Sequence, residues 1–300
     1  MINWDKFKCR CSAISRMMAE KQGFETLTEK QERAVLELEV KRDIKGLTAV
    51  QDTELNRLYA KREASKKIVL SDGCIEYLME VYAWETEGMI PVSKESMDNL
   101  SINKGKKQEA QAGALLNFVD GVTYKVHKER ISNDYLSGEI DLYLGESVFE
   151  AYSLPDIKNS WDYPTYLKKI NNGLENGQRE QLQGYGDITG SRELFVANCL
   201  VDCTEENIEE VKWKVLKKFG AATTETPEFV EEWKKWERSM RFSHIDPYKR
   251  VHKIPVEPFT EFERQKVYDK VKICREWLYN FDEMFQKKNK TVPLMLNDVV

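Results

Sequence analysis

Two short charged stretches constrain this chain more than any other feature: Gly138-Glu-Ile-Asp141 and, fourteen residues later, Asp156-Ile-Lys158. Both sit among residues that read as β-strand. On an extended strand side chains i and i+2 share a face, so Asp156 and Lys158 project together while Ile157 enters the core. By the same parity Asp141 shares a face with Glu139 and Tyr143, and Ile140, Leu142 and Leu144 line the other. Two adjacent strands then place two carboxylates and one ammonium in a single cleft. A hydrophobic content of 41% with 11% aromatic residues supplies the core such a sheet needs.

The cleft has a definite chemistry. Hard divalent cations take oxygen ligands, and Mg²⁺ is commonly held by one or two carboxylates plus substrate phosphate. A lysine alongside orients or deprotonates water. These are the ingredients of metal-assisted phosphodiester hydrolysis. Glu139 has two open roles by parity, metal ligand or border of the cleft.

Net charge is −5, which argues against a sequence-independent polyanion sponge but leaves room for local basic patches that steer a phosphate chain. Residues 1–70 carry 15 Lys/Arg against 11 Asp/Glu, and smaller clusters fall at Lys104, Lys106 and Lys107 and at Lys125, Lys128 and Arg130. Lys125, Ser160 and Trp161 are candidates to face nucleic acid, with packing the competing role for Trp161. The six cysteines form no paired CxxC units and read as reduced thiols, and the three histidines show no ligand spacing. No apolar run approaches the roughly 18–20 residues of a membrane span. The opening Met1–Lys8 lacks the apolar core of a secretory signal. The expectation is a soluble, cytoplasmic chain with no membrane partner.

Periodicity predicts a helical hairpin, 29–43 and 47–67, turning near Gly46, then a helix capped by Ser71 through about Trp84. A helix over about 103–119 places Glu109, Ala112, Gly113 and Leu116 on one stripe, so its carboxylate is either an edge residue or aimed into a site. Strands follow at 122–128, 135–144 and 147–158, with Gly145-Glu146 as a tight hairpin turn. Pro155 cannot donate to a ladder, which predicts a bulge or sheet edge there. Helices at 162–171 and 175–189, a strand at 192–202 and a helix at 205–219 complete an αβα pattern. Helices at 227–240 and 260–288 flank a short strand near 250–256.

Glu109 on a helix, Gly138-Glu-Ile-Asp141, Asp156-Ile-Lys158 and Gln181-Leu-Gln-Gly-Tyr185 together resemble the PD-(D/E)XK nuclease superfamily, in its RecB-like and lambda-exonuclease-like phage branch. Lys104-Gly-Lys-Lys-Gln-Glu109 resembles the glycine-led helix with the first acidic ligand, and Lys158-Asn-Ser-Trp-Asp162 the stretch after the catalytic lysine. The motifs cover about 100–205. The acidic strand motif lacks the proline that names the superfamily.

The resemblance implies an α/β fold: a central mixed β-sheet flanked by helices, with a restriction-endonuclease-like core, a helical N-terminal extension over 1–95 and a nuclease-like domain over 96–300 ending in helices. It implies Mg²⁺ or Mn²⁺ bound by Glu109, Asp141, Asp156 and the Ile157 carbonyl, with Lys158 activating water and stabilising charge. Gln181 and Tyr185 would contact nucleic acid or brace the site, with packing an equal alternative. The implied activity is hydrolysis of DNA, exonucleolytic and tied to phage-type recombination, in the host cytoplasm. A structure-specific or restriction-like endonuclease and a non-catalytic nucleic-acid-binding protein of the same fold are the alternatives. For the N-terminal helices, clamping DNA, self-association into a homo-oligomer, and docking of a single-strand annealing or recombinase protein stay open.

Overall fold

The computed structural model describes residues 2–19, 27–66, 70–89 and 100–290. Its helices run in the order α1 (Ile14–Met18), α2 (Glu29–Lys45), α3 (Ala49–Lys66), α4 (Asp72–Glu87), α5 (Leu100–Asp120), α6 (Tyr163–Asn172), α7 (Gln178–Thr189), α8 (Glu205–Phe219), α9 (Pro227–Arg238) and α10 (Glu261–Lys290). Its strands are β1 (Cys9–Arg10), β2 (Lys125–Val126), β3 (Ile131–Ser132), β4 (Leu136–Gly138), β5 (Leu142–Gly145), β6 (Ala151–Asn159), β7 (Glu193–Cys199) and β8 (Val251–Val256).

The chain divides into two compact units, one of Met1–Cys9, Ala13–Ile90 and Thr260–Val300, the other of Arg10–Ser12 and Pro91–Phe259. The expected division at 95/96 lies outside the described residues. The expected assignment of the C-terminal helix to the nuclease-like domain is corrected: α10 belongs with the N-terminal helices. Sequence distance hid this, because the partners of α10 are some 200 to 280 residues away. Tyr82 Oη donates to Asp282 Oδ1 at 2.9 Å, and Trp4 Nε1 to Asp282 Oδ2 at 3.4 Å. Cys74 Sγ lies 3.9 Å from Cys274 Sγ, and the Tyr82 ring meets Phe281 edge-on at 5.0 Å. All six cysteines are buried free thiols. In the same unit α2 and α3 form the expected hairpin around Leu27, Val35, Leu55 and Leu58. A capping box at Thr28 and Gln31 starts α2, and Gly46 at φ 78° ends it. Such a cap contributes about 1 kcal/mol. No helix among the described residues is long and apolar enough to cross a membrane.

The second unit carries a five-stranded mixed sheet in the order β2-β5-β6-β7-β8. β6 and β7 are parallel, and the other neighbours are antiparallel. The β6–β7 crossover runs through α6 and α7, as a parallel pair requires. One face of the sheet packs on α5: Ala112, Leu115 and Leu116 join Leu142, Ile157, Phe195 and Ala197 in one core. At Gly113 a Cβ would lie 3.5 Å from Leu142 Cδ1, an ordinary packing contact, so this approach does not depend on glycine. The opposite face packs on α7 at Gly186, where a Cβ would meet Leu194 Cδ1 at 2.8 Å. Any side chain at Gly186 would push helix and strand apart.

Three strand expectations differ from the structure. The single strand over 135–144 is two, because β4 pairs with β3 while β5 joins the large sheet. Residues Glu139–Asp141 carry the chain from one to the other. The tight turn at Gly145-Glu146 is instead a longer connection containing a 3₁₀ turn, Val148–Glu150, so β6 begins at Ala151. Finally, Pro155 sits at neither a bulge nor an edge. β6 is central, and its register with β7 is unbroken from Ser153↔Glu193 to Asn159↔Cys199. The bulge lies in β5, between Leu144 and Gly145.

Candidate active site

The backbone groups of alternate strand residues point to the same neighbour, so Pro155 and Ile157 share an orientation. Ile157 N–H donates to Asp141 Oδ2 at 3.1 Å, which fixes that direction as the β5 side. The N–H that Pro155 lacks is therefore absent on the β5 side and costs the β7 ladder nothing. Where a regular ladder would bring a carbonyl, the bend at Asp141 brings a carboxylate. Strand irregularity and acidic residue are thus one feature.

Asp156 projects from the opposite face to Ile157 and is 3% exposed. Its Oδ2 lies 2.7 Å from Lys158 Nζ, a close ion pair. Its Oδ1 accepts a long bond, 3.4 Å, from Gln181 Nε2, and the same amide donates to Tyr185 Oη at 2.9 Å. Gln181 and Tyr185 stand one turn apart on α7 and reach the site as a pair. Tyr185 packs on Gly138, where a Cβ would meet Tyr185 Cε1 at 2.3 Å. The glycine three residues before Asp141 is therefore what lets the tyrosine in. Glu109, at the exposed end of the Ala112-Gly113-Leu116 stripe, adjoins the Asp141 carboxyl.

Burial dominates the electrostatics. It raises the Asp141 carboxyl to about 6, with Lys158 opposing and Glu109 adding to the rise. Asp156 is likewise pushed up to about 6 by burial, with Lys158 opposing and Asp141 adding. Burial alone would push the Lys158 ammonium down, but Asp156, Asp141 and Glu109 outweigh it and hold the group above the ordinary lysine range. Lys158 is thus a cation in the metal-free protein, suited to holding phosphate charge rather than taking a proton from water. Burial keeps the Tyr185 phenol well above its usual range and hence neutral.

Not every expected residue joins this group. Glu139 does not share the Asp141 face: it is exposed and paired with Arg130 at 2.5 Å. Strand parity fails across the bend, because residues 139–141 belong to neither sheet. Lys125 is not brought to the carboxylates, since its ammonium donates to the carbonyls of Gly145 and Glu146 at 2.8 and 3.2 Å. Ser160 is buried, and its N–H donates to Cys199 O at 2.9 Å. The side chains of Lys104, Lys106 and Lys107 lie outside the described residues.

Two residues join that sequence reading missed. Asn198, 2% exposed, is the register partner of Lys158 on β7. Lys169 of α6 donates to Asn159 O at 3.4 Å; burial pushes its ammonium down, with Glu175 opposing and Lys158 adding repulsion. Parity could have flagged Asn198 as a polar residue in an otherwise apolar strand, whereas nothing local marks Lys169.

Among the described residues no three His, Cys, Asp or Glu side chains are gathered tightly enough to form a ready-made metal cage. The donor chemistry nonetheless fits a hard divalent cation. Both Asp carboxyls are buried oxygen donors raised by that burial, which a cation would relieve.

The sheet order and the flanking helices match the fold of solved exonuclease structures. A phage-related exonuclease from Haemophilus somnus 129PT matches with a TM-score of 0.59 at 17% identity, over 93% of this chain and 97% of that one. An alkaline exonuclease from Laribacter hongkongensis matches with a TM-score of 0.52 at 11% identity, over 95% of each chain. The same enzyme in complex with dAMP matches with a TM-score of 0.51 at 12% identity, over 96% of each. No protein-family profile and no curated protein matches the chain.

Proposed function

We propose that this chain is a divalent-metal-dependent deoxyribonuclease that degrades DNA from an end. The observation that carries the reading is the convergence of Asp141, Asp156 and Lys158 with Glu109 at their border and the Gln181–Tyr185 pair behind Asp156. A protein that only bound DNA would have no need to bury two carboxylates against each other, an arrangement that burial opposes.

Glu109, Asp141, Asp156 and the Ile157 carbonyl would hold Mg²⁺ or Mn²⁺. Such an ion supplies Lewis-acid polarisation of the phosphate and a more acidic water. The chain's own residues do the rest. Asp141, anchored by the Ile157 N–H, and Asp156, anchored by Gln181, keep fixed positions. The Lys158 ammonium, released from Asp156, stabilises negative charge building on the phosphate oxygens. Tyr185, a neutral hydroxyl, locks the Gln181 amide. End-directed action rests on the likeness to exonuclease folds, as does a place in phage-type recombination beside a single-strand annealing or recombinase protein.

The test is a cleavage assay with Mg²⁺ or Mn²⁺ on end-labelled linear duplex, single strand and covalently closed circular DNA, against EDTA. Mononucleotide release from linear DNA with the circle intact is the expected result. Cutting of the closed circle would make the chain an endonuclease. Failure to cut any substrate with either metal would overturn the enzymatic reading.

A further inference from the structure

Three residues beyond Lys158 the chain enters a pocket of its own. A cavity of about 300 Å³ is lined by Trp161 and Trp236, with Val211, Val215 and Met240 as its apolar wall and the exposed Lys214 and Lys218 beside them. Its volume is at the small end for small-ligand sites, about 300–1,000 Å³. The wall belongs to the core joining α8 and α9, with Val215 and Met240 buried. Trp236 is 40% exposed and both lysines are exposed; Lys214 donates to Glu210 at 2.9 Å and would exchange that partner for a phosphate. The one acid in the lining, Asp162, already accepts Thr165 N–H at 2.7 Å as the cap of α6.

From this we infer that the pocket receives a base of the single DNA strand whose phosphate lies at Lys158, the base against the pocket's tryptophans and its phosphates on Lys214 and Lys218. The inference rests on the nuclease reading for its substrate. Indole faces accept any base, and lysines follow the backbone, so this chemistry is sequence-tolerant. The span fits as well. Three extended residues cover at most about 11 Å, which about three stacked nucleotides bridge at roughly 3.4 Å each. Lys169 donates to the carbonyl of Asn159, which lies between the two places along the chain. Because a strand held at a second point stays in register after each cut, the pocket favours successive cleavage over release.

The test measures binding of fluorescein-labelled dT12 in EDTA, so that the readout does not depend on turnover. Trp236→Ala weakens binding about 5- to 150-fold, the range for loss of one stacked base. Trp236→Phe keeps most of the affinity, and Lys218→Glu weakens it without touching the apolar wall. Trp213, 61% exposed on α8 but outside the pocket, is the control, and Trp213→Ala binds as wild type. Wild-type affinity in both Trp236→Ala and Lys218→Glu, with folding confirmed by thermal melting, overturns the inference. So does an equal loss in Trp213→Ala, which would make the effect a general property of the surface. Pocket-dependent binding without any cleavage would leave this site standing and remove the nuclease reading. Cleavage with pocket-independent binding would do the reverse.

Discussion

At the scale of single residues, the site is governed by burial acting on three charges. Lys158 is the cation that two raised carboxyls compete for. Lys158→Ala should lower kcat by about 10²- to 10³-fold, the usual loss for one transition-state charge partner. DNA binding in EDTA should stay within a few-fold of wild type, and a loss of binding equal to the loss of rate would refute the role. The Asp141–Asp156 pair also makes a pH prediction. Both folded-state values, about 6, exceed the ordinary carboxylate range, so between about pH 4 and 6 the folded chain binds more protons than the unfolded one. The stabilisation that protonation brings is complete below about pH 4 and is lost as pH rises through 6. Melting in EDTA should therefore drop across that window. Asp156→Asn should flatten the drop and melt a few degrees above wild type at pH 7.5, at about 2–4 °C per kcal/mol. Mg²⁺ should raise the wild-type melting temperature and leave the variant's unchanged. A variant that melts below wild type in EDTA would show that Asp156 is held by its partners more strongly than burial opposes it.

Elements show why the site is placed where it is. β6 is a central strand with a proline because that proline's missing donor falls on the side where Asp141 replaces a ladder partner. Pro155→Ala should therefore cost less than about 1 kcal/mol, mostly through a more flexible unfolded chain, measured by urea denaturation. A loss above about 2 kcal/mol would mean the proline shapes the bend itself. Gly138 is the opposite case. A methyl there would overlap the Tyr185 ring, and Gly138→Ala should cost about 1–3 kcal/mol as overpacking. It should also lower cleavage by displacing Tyr185 and with it the Gln181 amide. Helix boundaries here were legible from caps and periodicity: α8 spans the expected 205–219, and the Ser71 cap starts α4. The strands were not, because Leu136, Ile140 and Leu142 read as one alternating run although a sheet change lies within it. Alternation reports burial on one face and is blind to which neighbour lies on the edge.

For the whole molecule, the decisive fact is a discontinuous N-terminal unit completed by α10. Ending the chain at Phe259 should unfold that unit, since it removes the partners of Trp4, Cys74 and Tyr82. Loss of helical circular dichroism well beyond the thirty residues of α10 itself is the expected signature, and loss confined to those residues would refute it. The chain's sequence by itself determined Asp156, Lys158 and the Gln181–Tyr185 pair, because each lies on an element whose periodicity fixes its face, whereas Asp141 lies in a bend that only the fold placed. It also determined the glycines at 138 and 186 without showing what they admit. Only the tertiary structure decided that Glu139 turns away to Arg130, that Pro155 belongs in a central strand, and that Asn198 and Lys169 border the site. It alone also brought Trp161 and Trp236 to one pocket. Local patterns fix which way a side chain points from its own element. What it meets there depends on contacts between elements far apart in sequence, and those exist only once the chain has folded.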